Sequence, residues 1–504
     1  MKKKNLFVRA LCVVTLMTIL ATGCTKEPDG GKTEPEKTEP ASKTETTEPA
    51  SATESQTEEA SNLPAKDESA VQVTIDPSVT YQTWEGFGSG FTWYADWMTE
   101  NANAEKAYDA FFSDLKLTNL RFRNTYQYGS KESVGFKTEK AIYDAAVKRA
   151  KENGEEITVL LSSWSPSADL KSTGKIEGDS TIAKNADGTY MYKEFGEYMA
   201  NAVEAYEAAG VPIDVLSIQN EPDYLAEDYD CCLLNYKEDE NTACYADAYL
   251  ATYKAMKDKF GEDAPHMIGP ECFSMESSNR LKLYMNPILE QEPDSVWGIC
   301  HHLYGGGDDE NPISYIQNMW NLKSAFPDTR KWMTEYYTET GLQMAFLIQE
   351  SIVEERASSY FYWDGVWDTM GGMICFEWNR KSDFVIKEKY YAYKQFSHFI
   401  QPGDVNIDAK AKGDSNVRAV SFLSEDGTKV TTVVINGGEN ERKVQLWLGD
   451  QSMSGTTMMC SDFQDSYDTL DLSGILCQDA GTLDESQIFT CPAGSVTTFV
   501  TEVK

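Results

Sequence analysis

Two stretches of the chain carry acidic side chains in positions suited to acid–base chemistry on a sugar acetal. In Leu216-Ser217-Ile218-Gln219-Asn220-Glu221-Pro222-Asp223-Tyr224, an apolar run from Ile213 to Ile218 ends abruptly in an amide, a carboxylate and a proline. Such a run reads as a buried parallel strand that delivers Asn220 and Glu221 to its C-terminal lip, where Pro222 stops the ladder. Lys331-Trp332-Met333-Thr334-Glu335-Tyr336-Tyr337 has the same grammar, a short strand ending in a glutamate among aromatics. Two strand-end carboxylates on one barrel rim are the minimum equipment for hydrolysing a glycosidic bond with retention, provided they stand ~5 to 5.5 Å apart. In that reading Glu335 is the nucleophile, Glu221 the acid/base, and Asn220 the partner of the sugar 2-hydroxyl, while Arg121 keeps Glu335 ionised. Glu85, Glu271 and Glu377 are the runner-up carboxylates, and His301 and His302 read as hydrogen-bonding scaffold.

The elements that must position these groups recur with a regular rhythm. Short apolar strands are expected at Thr83 to Gly88, Thr118 to Arg123, Ile157 to Ser162, Ile213 to Gln219, His266 to Pro270, Gly298 to Tyr304, Lys331 to Glu335 and Ser359 to Trp363. Between and after them fall helical patterns at Ala104 to Leu115, Glu139 to Lys151, Met191 to Ala208, Tyr245 to Phe260, Leu342 to Arg356 and Tyr390 to Ile400. Eight such alternations predict an α/β fold, a (β/α)8 TIM barrel over residues 83–402. Past Gln401-Pro402-Gly403 the pattern turns to period two, at Val417 to Leu423, Lys429 to Asn436, Lys443 to Leu448 and Ser495 to Val500. This predicts a β-sandwich over 403–504. The alternating strand at Val71 to Ile75, within 71–82, has no partner in the barrel and is expected to cross over and join that sandwich.

At the barrel rim the residues that close the strands are aromatic or charged: Trp93 and Tyr94, Arg121 and Arg123, Trp164, Asn220, His302 and Tyr304, Tyr337, and Trp363. Aromatic faces stack on sugar rings, so Trp93, Arg121, Trp164, Asn220, Tyr304, Tyr337 and Trp363 are the expected substrate contacts.

Lys2, Lys3, Lys4 and Arg9 precede an apolar run from Ala10 to Leu20, which meets Ala21-Thr22-Gly23-Cys24. That arrangement predicts a lipoprotein signal over 1–24, with lipid attached at Cys24. Residues 25–70 repeat Thr-Glu-Pro with almost nothing apolar, the composition of a disordered stalk. The expected protein is exported and held at the outer side of a bacterial membrane by its lipid alone, as a monomer. A net charge of −36 argues against nucleic acid or anionic lipid as partner and suits a neutral polymer. Of eleven cysteines, nine remain beyond Cys12 and Cys24. Cys231, Cys232 and Cys244 group in one loop, and Cys460, Cys477 and Cys491 near the C-terminus, which predicts one disulfide in each group. Without a CxxC pair, and with four histidines, no zinc site or other cofactor is expected.

Seven ordered motifs resemble glycoside hydrolase family 30. They are Glu85-Gly86-Phe87-Gly88, Ser163-Trp164-Ser165-Pro166, the string from Ser217 to Tyr224, His302-Leu303-Tyr304-Gly305, Trp332-Met333-Thr334-Glu335, Gln395 to Gly403, and Pro492 to Val500. The resemblance implies a retaining barrel enzyme with a side β-sandwich, acid/base on Glu221, nucleophile on Glu335, and sugar contacts at Trp164, Asn220, Tyr304 and Trp363. The Gln-Asn-Glu-Pro-Asp-Tyr string is most similar to the glucuronoxylanase branch, which implies internal cleavage of β-1,4-xylan from plant cell walls. That branch follows its eighth strand with an arginine pair that grips glucuronate, whereas Asp364-Gly365-Val366-Trp367-Asp368 stands here, so plain or arabinose-substituted xylan is the expected substrate. Arg380 is a candidate substitute for the missing arginines. The competing readings are a β-glucosidase, a glucosylceramidase-like enzyme, a β-1,6-glucanase or β-1,6-galactanase, and a non-catalytic surface lectin.

Overall fold

The computed structural model describes residues 63–503 except 130–134, 179, 276–277, 309–310, 369–370, 377–383 and 464–476. The signal segment with Cys24, most of the stalk, Glu377 and Arg380 lie outside the described residues.

Eight parallel strands close into a barrel: β2 (Phe87–Gly90), β3 (Asn119–Arg123), β4 (Thr158–Ser162), β5 (Val215–Ser217), β6 (His266–Ser274), β7 (Gly298–Tyr304), β8 (Lys331–Glu335) and β9 (Ser359–Tyr362). Alternate residues of a strand share a face, which sorts the barrel interior into layers. Leu160, Val215, Ile268, Cys300, Trp332 and Phe361 pack into one apolar cluster, each from a different strand. Two residues further along β4, β5 and β7, on the same face, stand Ser162, Ser217 and His302. An apolar plug therefore lies beneath a polar layer, and β3 adds Arg121 and Arg123 to it by the same alternation. The helical shell packs outside; its longest members are Lys137–Asn153, Tyr192–Ala208 and Tyr245–Phe260.

The first strand begins four residues later than its apolar pattern suggested, because Trp84 and Glu85 belong to the seam beneath the barrel. Trp84 is fully buried, and its backbone exchanges hydrogen bonds with Gly403 and Asp404. Its ring meets Phe87 at 4.5 Å and Phe422 at 5.9 Å, so one side chain joins barrel to sandwich. Glu85 accepts from Trp332 Nε1 and Ser358 Oγ, each at 2.6 Å, and pairs with Arg330. It lies where strands begin, remote from the rim, which removes it as a catalytic carboxylate.

Past β9, the short strands β10 (Val366–Trp367), β11 (Ile374–Cys375) and β12 (Val385–Ile386) form a small sheet. The C-terminal strands are β13 (Val405–Lys412), β14 (Val417–Leu423), β15 (Lys429–Asn436), β16 (Arg442–Leu448), β17 (Thr457–Asp462), β18 (Gln478–Thr482), β19 (Ile488–Cys491) and β20 (Ser495–Glu502). With β1 (Val71–Thr83) they make one hydrogen-bonded array around a second core of Val73, Ile75, Val434, Leu446 and Phe499 among others. β1 runs antiparallel to β13 and parallel to β16, so the first described strand is inserted between two C-terminal ones.

Two expectations fail. Residues 63–70 do not behave as stalk: the Gln445 side chain donates to Ala65 O at 3.0 Å and accepts from Asp67 N–H at 2.8 Å, docking the segment on β16. Composition could not show this, because the partner is a polar side chain nearly 380 residues away. The two disulfides are also absent. All nine described cysteines are free thiols and eight of them are buried, the behaviour of small apolar side chains.

If β1 holds the sandwich together, Ile75→Ala should lower stability by about 2–4 kcal/mol, since the side chain is buried in the second core. Urea denaturation checks this; a loss below 0.5 kcal/mol would mean that β1 is peripheral (order of magnitude from surface substitutions).

Candidate active site

Arg121 organises the polar layer. Its side chain is 0% exposed, and its donors reach four partners: Nε to Ser162 Oγ at 3.2 Å, one terminal nitrogen to Glu335 Oε2 at 2.6 Å, and the other to Asn220 Oδ1 at 2.6 Å and Glu271 Oε1 at 2.9 Å. Four different strand ends are thereby tied to one planar cation. This corrects the expectation that Arg121 contacts substrate: it is spent on protein groups and sits under the rings of Trp164 and Trp363, at 4.7 and 5.8 Å from their centroids. Its support of Glu335 stands as a direct hydrogen bond.

Glu221 and Glu335 face one space. One oxygen of each lies within 4.8 Å of the other, and a ring nitrogen of His302 lies within that distance of both. Glu335 accepts from Arg121 and, through its second oxygen, from the Tyr304 hydroxyl at 3.1 Å. Glu221 is held differently. Its backbone sits at φ 48°, its N–H donates to Glu271 O at 2.9 Å, and Glu271 is itself at φ 55°. Left-handed backbone at two adjoining non-glycine residues is costly and persists where surrounding bonds enforce it.

His302 is the residue whose weight the sequence did not show. Its Nδ1 lies 2.9 Å from Glu221 Oε1, and its Nε2 lies 3.8 Å from Glu335 Oε2 and 3.9 Å from Glu271 Oε1. Burial works against its charge, but the surrounding Glu335, Glu221 and Glu271 raise the imidazole to about 9, so it carries its second proton at neutral pH. Burial pushes the Glu221 carboxyl up to about 7; Glu335 and Asp223 add to this, and His302 opposes it. Since His302 donates to Oε1, the opposite oxygen is the one free to carry a transferable proton. Glu271 goes the other way. Burial is again its largest influence, yet Arg121 and His302 outweigh it and bring the group down to about 2. Fully buried and ionised, Glu271 serves as counter-ion and not as an acid. His301 matches its scaffold reading, bonded to Glu355 at 2.8 Å and to the His302 carbonyl at 3.1 Å.

Aromatic rings wall the site on two sides. Trp164 lies 5.8 Å from Trp363 and 6.3 Å from Trp93, which is covered by the Arg123 guanidinium at 3.8 Å; Arg123 pairs with Asp230. Tyr229, from the loop after Glu221, packs on Trp93 at 6.0 Å. Opposite, Tyr304 stacks on Phe273 at 5.1 Å and Phe273 on Tyr224 at 4.6 Å, while Tyr337 stands exposed at the rim. Tyr229 and Phe273 carry no period or motif that marks them, and Tyr224, though it closes the Ser217 to Tyr224 string, is not marked there as part of a wall. Asp364 is not part of an open negative loop: it is fully buried, accepts from Thr92 Oγ1 at 2.7 Å, and burial raises it to about 7. Trp367 beyond it stacks on Tyr94 at 5.4 Å.

Glu221, His302 and Glu335 have a spacing open to a metal ion. A cation there would have to displace the His302 proton and sit beside Arg121, so the charge pattern fits an oxocarbenium-like sugar between two carboxylates better. A carboxyl near pKa 7 is protonated below that pH and loses its proton above it. Cleavage of a substrate whose leaving group needs a proton should therefore fall as pH rises through about 7. In His302→Asn, loss of the cation that opposes protonation should move this limb upward by about one pH unit. The pH profile of kcat/KM measures both, and an unmoved or lowered limb would refute the assignment.

Residues 403–499 match the model of the glycosyl hydrolase family 30 beta sandwich domain. The chain is 26% identical over 292 residues to the glucuronoxylanase XynC of Bacillus subtilis (strain 168), covering 55% of this chain and 60% of that one. It is 22% identical over 333 residues to the endo-1,6-beta-D-glucanase neg1 of Aspergillus fumigatus, covering 60% and 64%. The alignments thus span less than two thirds of either relative. In fold it is similar to the family 30 subfamily 8 xylanase Xyn30A of Clostridium acetobutylicum, with TM-score 0.62, 21% identity, and 86% and 100% of the two chains covered. The C-terminal sandwich thus matches the family 30 model, and the chain as a whole is similar in fold and in sequence to enzymes of glycoside hydrolase family 30.

Proposed function

We propose that the protein is a retaining glycoside hydrolase that cleaves β-1,4-xylan within the chain. The observation that carries the reaction type is the approach of Glu221 and Glu335 to within 4.8 Å, close to the ~5–5.5 Å of retaining enzymes and short of the ~6.5–9.5 Å that leaves room for an inverting water. Glu335 attacks the anomeric carbon while Glu221 gives its proton to the departing oxygen, leaving a glycosyl ester on Glu335. Loss of the Glu335 charge then lowers the Glu221 pKa, so Glu221 takes a proton from water as that water attacks the same carbon and releases Glu335. Asn220, its carbonyl held by Arg121, keeps its amide N–H groups for the 2-hydroxyl.

Support for xylan comes from the glucuronoxylanase relative and from the Ser217 to Tyr224 string. A β-1,6-glucan substrate is the second reading, favoured by the alignment to the β-1,6-glucanase and by the buried Asp364 segment, which supplies no grip for glucuronate. Glu221→Ala should lose at least about 100-fold in activity on polymer. It should recover in part on an activated aryl glycoside with azide, giving a β-glycosyl azide. Full activity, or no product with azide, would contradict the roles. Oligosaccharides released from xylan but not from β-1,6-glucan support the first specificity, and the reverse pattern supports the second.

The export reading belongs to the same proposal. A lipid on Cys24 would hold the enzyme at the cell surface, facing polymer too large to enter. Cys24→Ser should shift the protein from the detergent phase to the aqueous phase; an unchanged partition would refute the anchor.

A further inference from the structure

The two aromatic walls beside the catalytic pair differ in character. Next to Asn220 and Arg121, the rings of Trp164 and Trp363 are buried, at 3% and 9% exposure. On the other side, Tyr304, Phe273 and Tyr224 form a row of rings that ends in the open, with Tyr224 37% exposed and Leu225 after it 50%. The ring planes in this row are close to parallel, 16° apart between Tyr304 and Phe273 and 24° apart between Phe273 and Tyr224.

The row is built on rigid parts. Phe273 and Tyr304 lie at the ends of neighbouring strands β6 and β7, where Ser274 and Tyr304 are paired in register. The Tyr304 hydroxyl donates to Glu335 Oε1 at 3.1 Å, which ties one end of the row to that carboxylate. The other end is tied to Glu221: the Tyr224 N–H donates to Glu221 O at 3.0 Å, closing a turn over Pro222 and Asp223. Asp223 clamps this turn to the barrel. Its Oδ1 accepts from Phe273 N–H at 2.8 Å, its Oδ2 pairs with Arg280 at 2.8 Å, and its side chain is 6% exposed. Burying a carboxylate costs free energy that its bonds must offset. What those bonds secure here is the place of a half-exposed ring, which adds little to the core.

We infer that Tyr224 is the platform for the leaving sugar, the pyranose on the far side of the scissile bond from the unit that becomes attached to Glu335. This rests on the retaining reading of Glu221 and Glu335. Asn220 holds the 2-hydroxyl of the sugar under attack, so that unit and those before it fall on the side of Trp164 and Trp363. The leaving oxygen takes the Glu221 proton, so the sugar it carries extends past Glu221, where Tyr224 stands in the same turn. A β-linked pyranose with equatorial hydroxyls presents its axial C–H bonds as an apolar face. A half-exposed phenol ring offers matching area, with a hydroxyl at its edge for a polar contact. The same platform receives an acceptor sugar when the ester is opened by a sugar instead of water. In that step the acceptor hydroxyl bonds to the anomeric carbon, the bond to Glu335 breaks, and the hydroxyl proton passes to Glu221.

Tyr224→Ala and Tyr224→Phe test this on two donors with one glycone. One is the oligosaccharide the enzyme cleaves, xylotetraose or its β-1,6-glucan counterpart; the other is the β-fluoride of the glycone it releases, whose leaving atom is too small to reach Tyr224. In Tyr224→Ala, kcat/KM for the oligosaccharide relative to the fluoride should fall about tenfold or more, and Tyr224→Phe, which keeps the ring face, should restore the ratio to within about threefold. Added methyl β-glycoside should divert the wild-type ester from water to transfer product, and this partition should fall about fivefold or more in Tyr224→Ala. Both ratios are independent of how much of a variant folds. Equal losses on the two donors, an unchanged partition, or a Phe variant as impaired as the Ala variant would overturn the inference and leave the retaining reading standing. A wild-type enzyme that hydrolyses neither donor would overturn the retaining reading, and this inference with it.

Discussion

Everything at the rim depends on a buried cation that must not be left alone. A guanidinium with no exposure is tolerable only when its donors are met by acceptors and its charge by anions. Arg121 meets that requirement with Ser162, Asn220, Glu271 and Glu335, drawn from the ends of β4, β5, β6 and β8. The same bonds fix where the Glu335 carboxylate points. His302 repeats the device at smaller scale, its positive charge set among Glu221, Glu271 and Glu335. Two cations against three acids leaves one acid to be neutral, and geometry selects Glu221, which has a single hydrogen-bond donor and no arginine.

Two like groups a few ångströms apart are thereby held in different ways. Glu335 is bonded by Arg121 and Tyr304, and both of its oxygens accept. Glu221 hangs from a strained turn after a three-residue strand, with only an imidazolium to oppose its burial. Glu271, a third carboxyl with full burial, supplies the balancing charge. The apolar plug of Leu160, Val215, Ile268, Cys300, Trp332 and Phe361 below keeps water out of this network and holds the strand spacing that aligns it.

Much of this was legible because it rests on local pattern. Ser217-to-Tyr224 and Trp332-to-Glu335 announce themselves as apolar runs closed by acids, and β3, β7, β8, β14 and β15 lie where alternation puts them, to within a residue. What failed rests on tertiary partners. Arg121 reads as a rim cation because sequence shows charge and not depth. His302 reads as scaffold because its three carboxylates come from other strands. The helix Ser278–Gln291 went unread because Pro287 lies inside it and breaks the apparent pattern, and the helix Ile316–Ala325 is too short to declare itself against its neighbours. The cysteines grouped by sequence but fold as separate buried thiols.

The central claim is that the Arg121 network makes Glu335 the atom donor to a covalent sugar ester. A 2-deoxy-2-fluoro glycoside with a good leaving group slows the second step, so the ester accumulates and can be located by peptide mass spectrometry. The account predicts a single added sugar on the peptide containing Trp332-Met333-Thr334-Glu335, with loss of turnover in step with labelling. A label on Glu221 or Glu271, or inactivation without any covalent adduct, would contradict it.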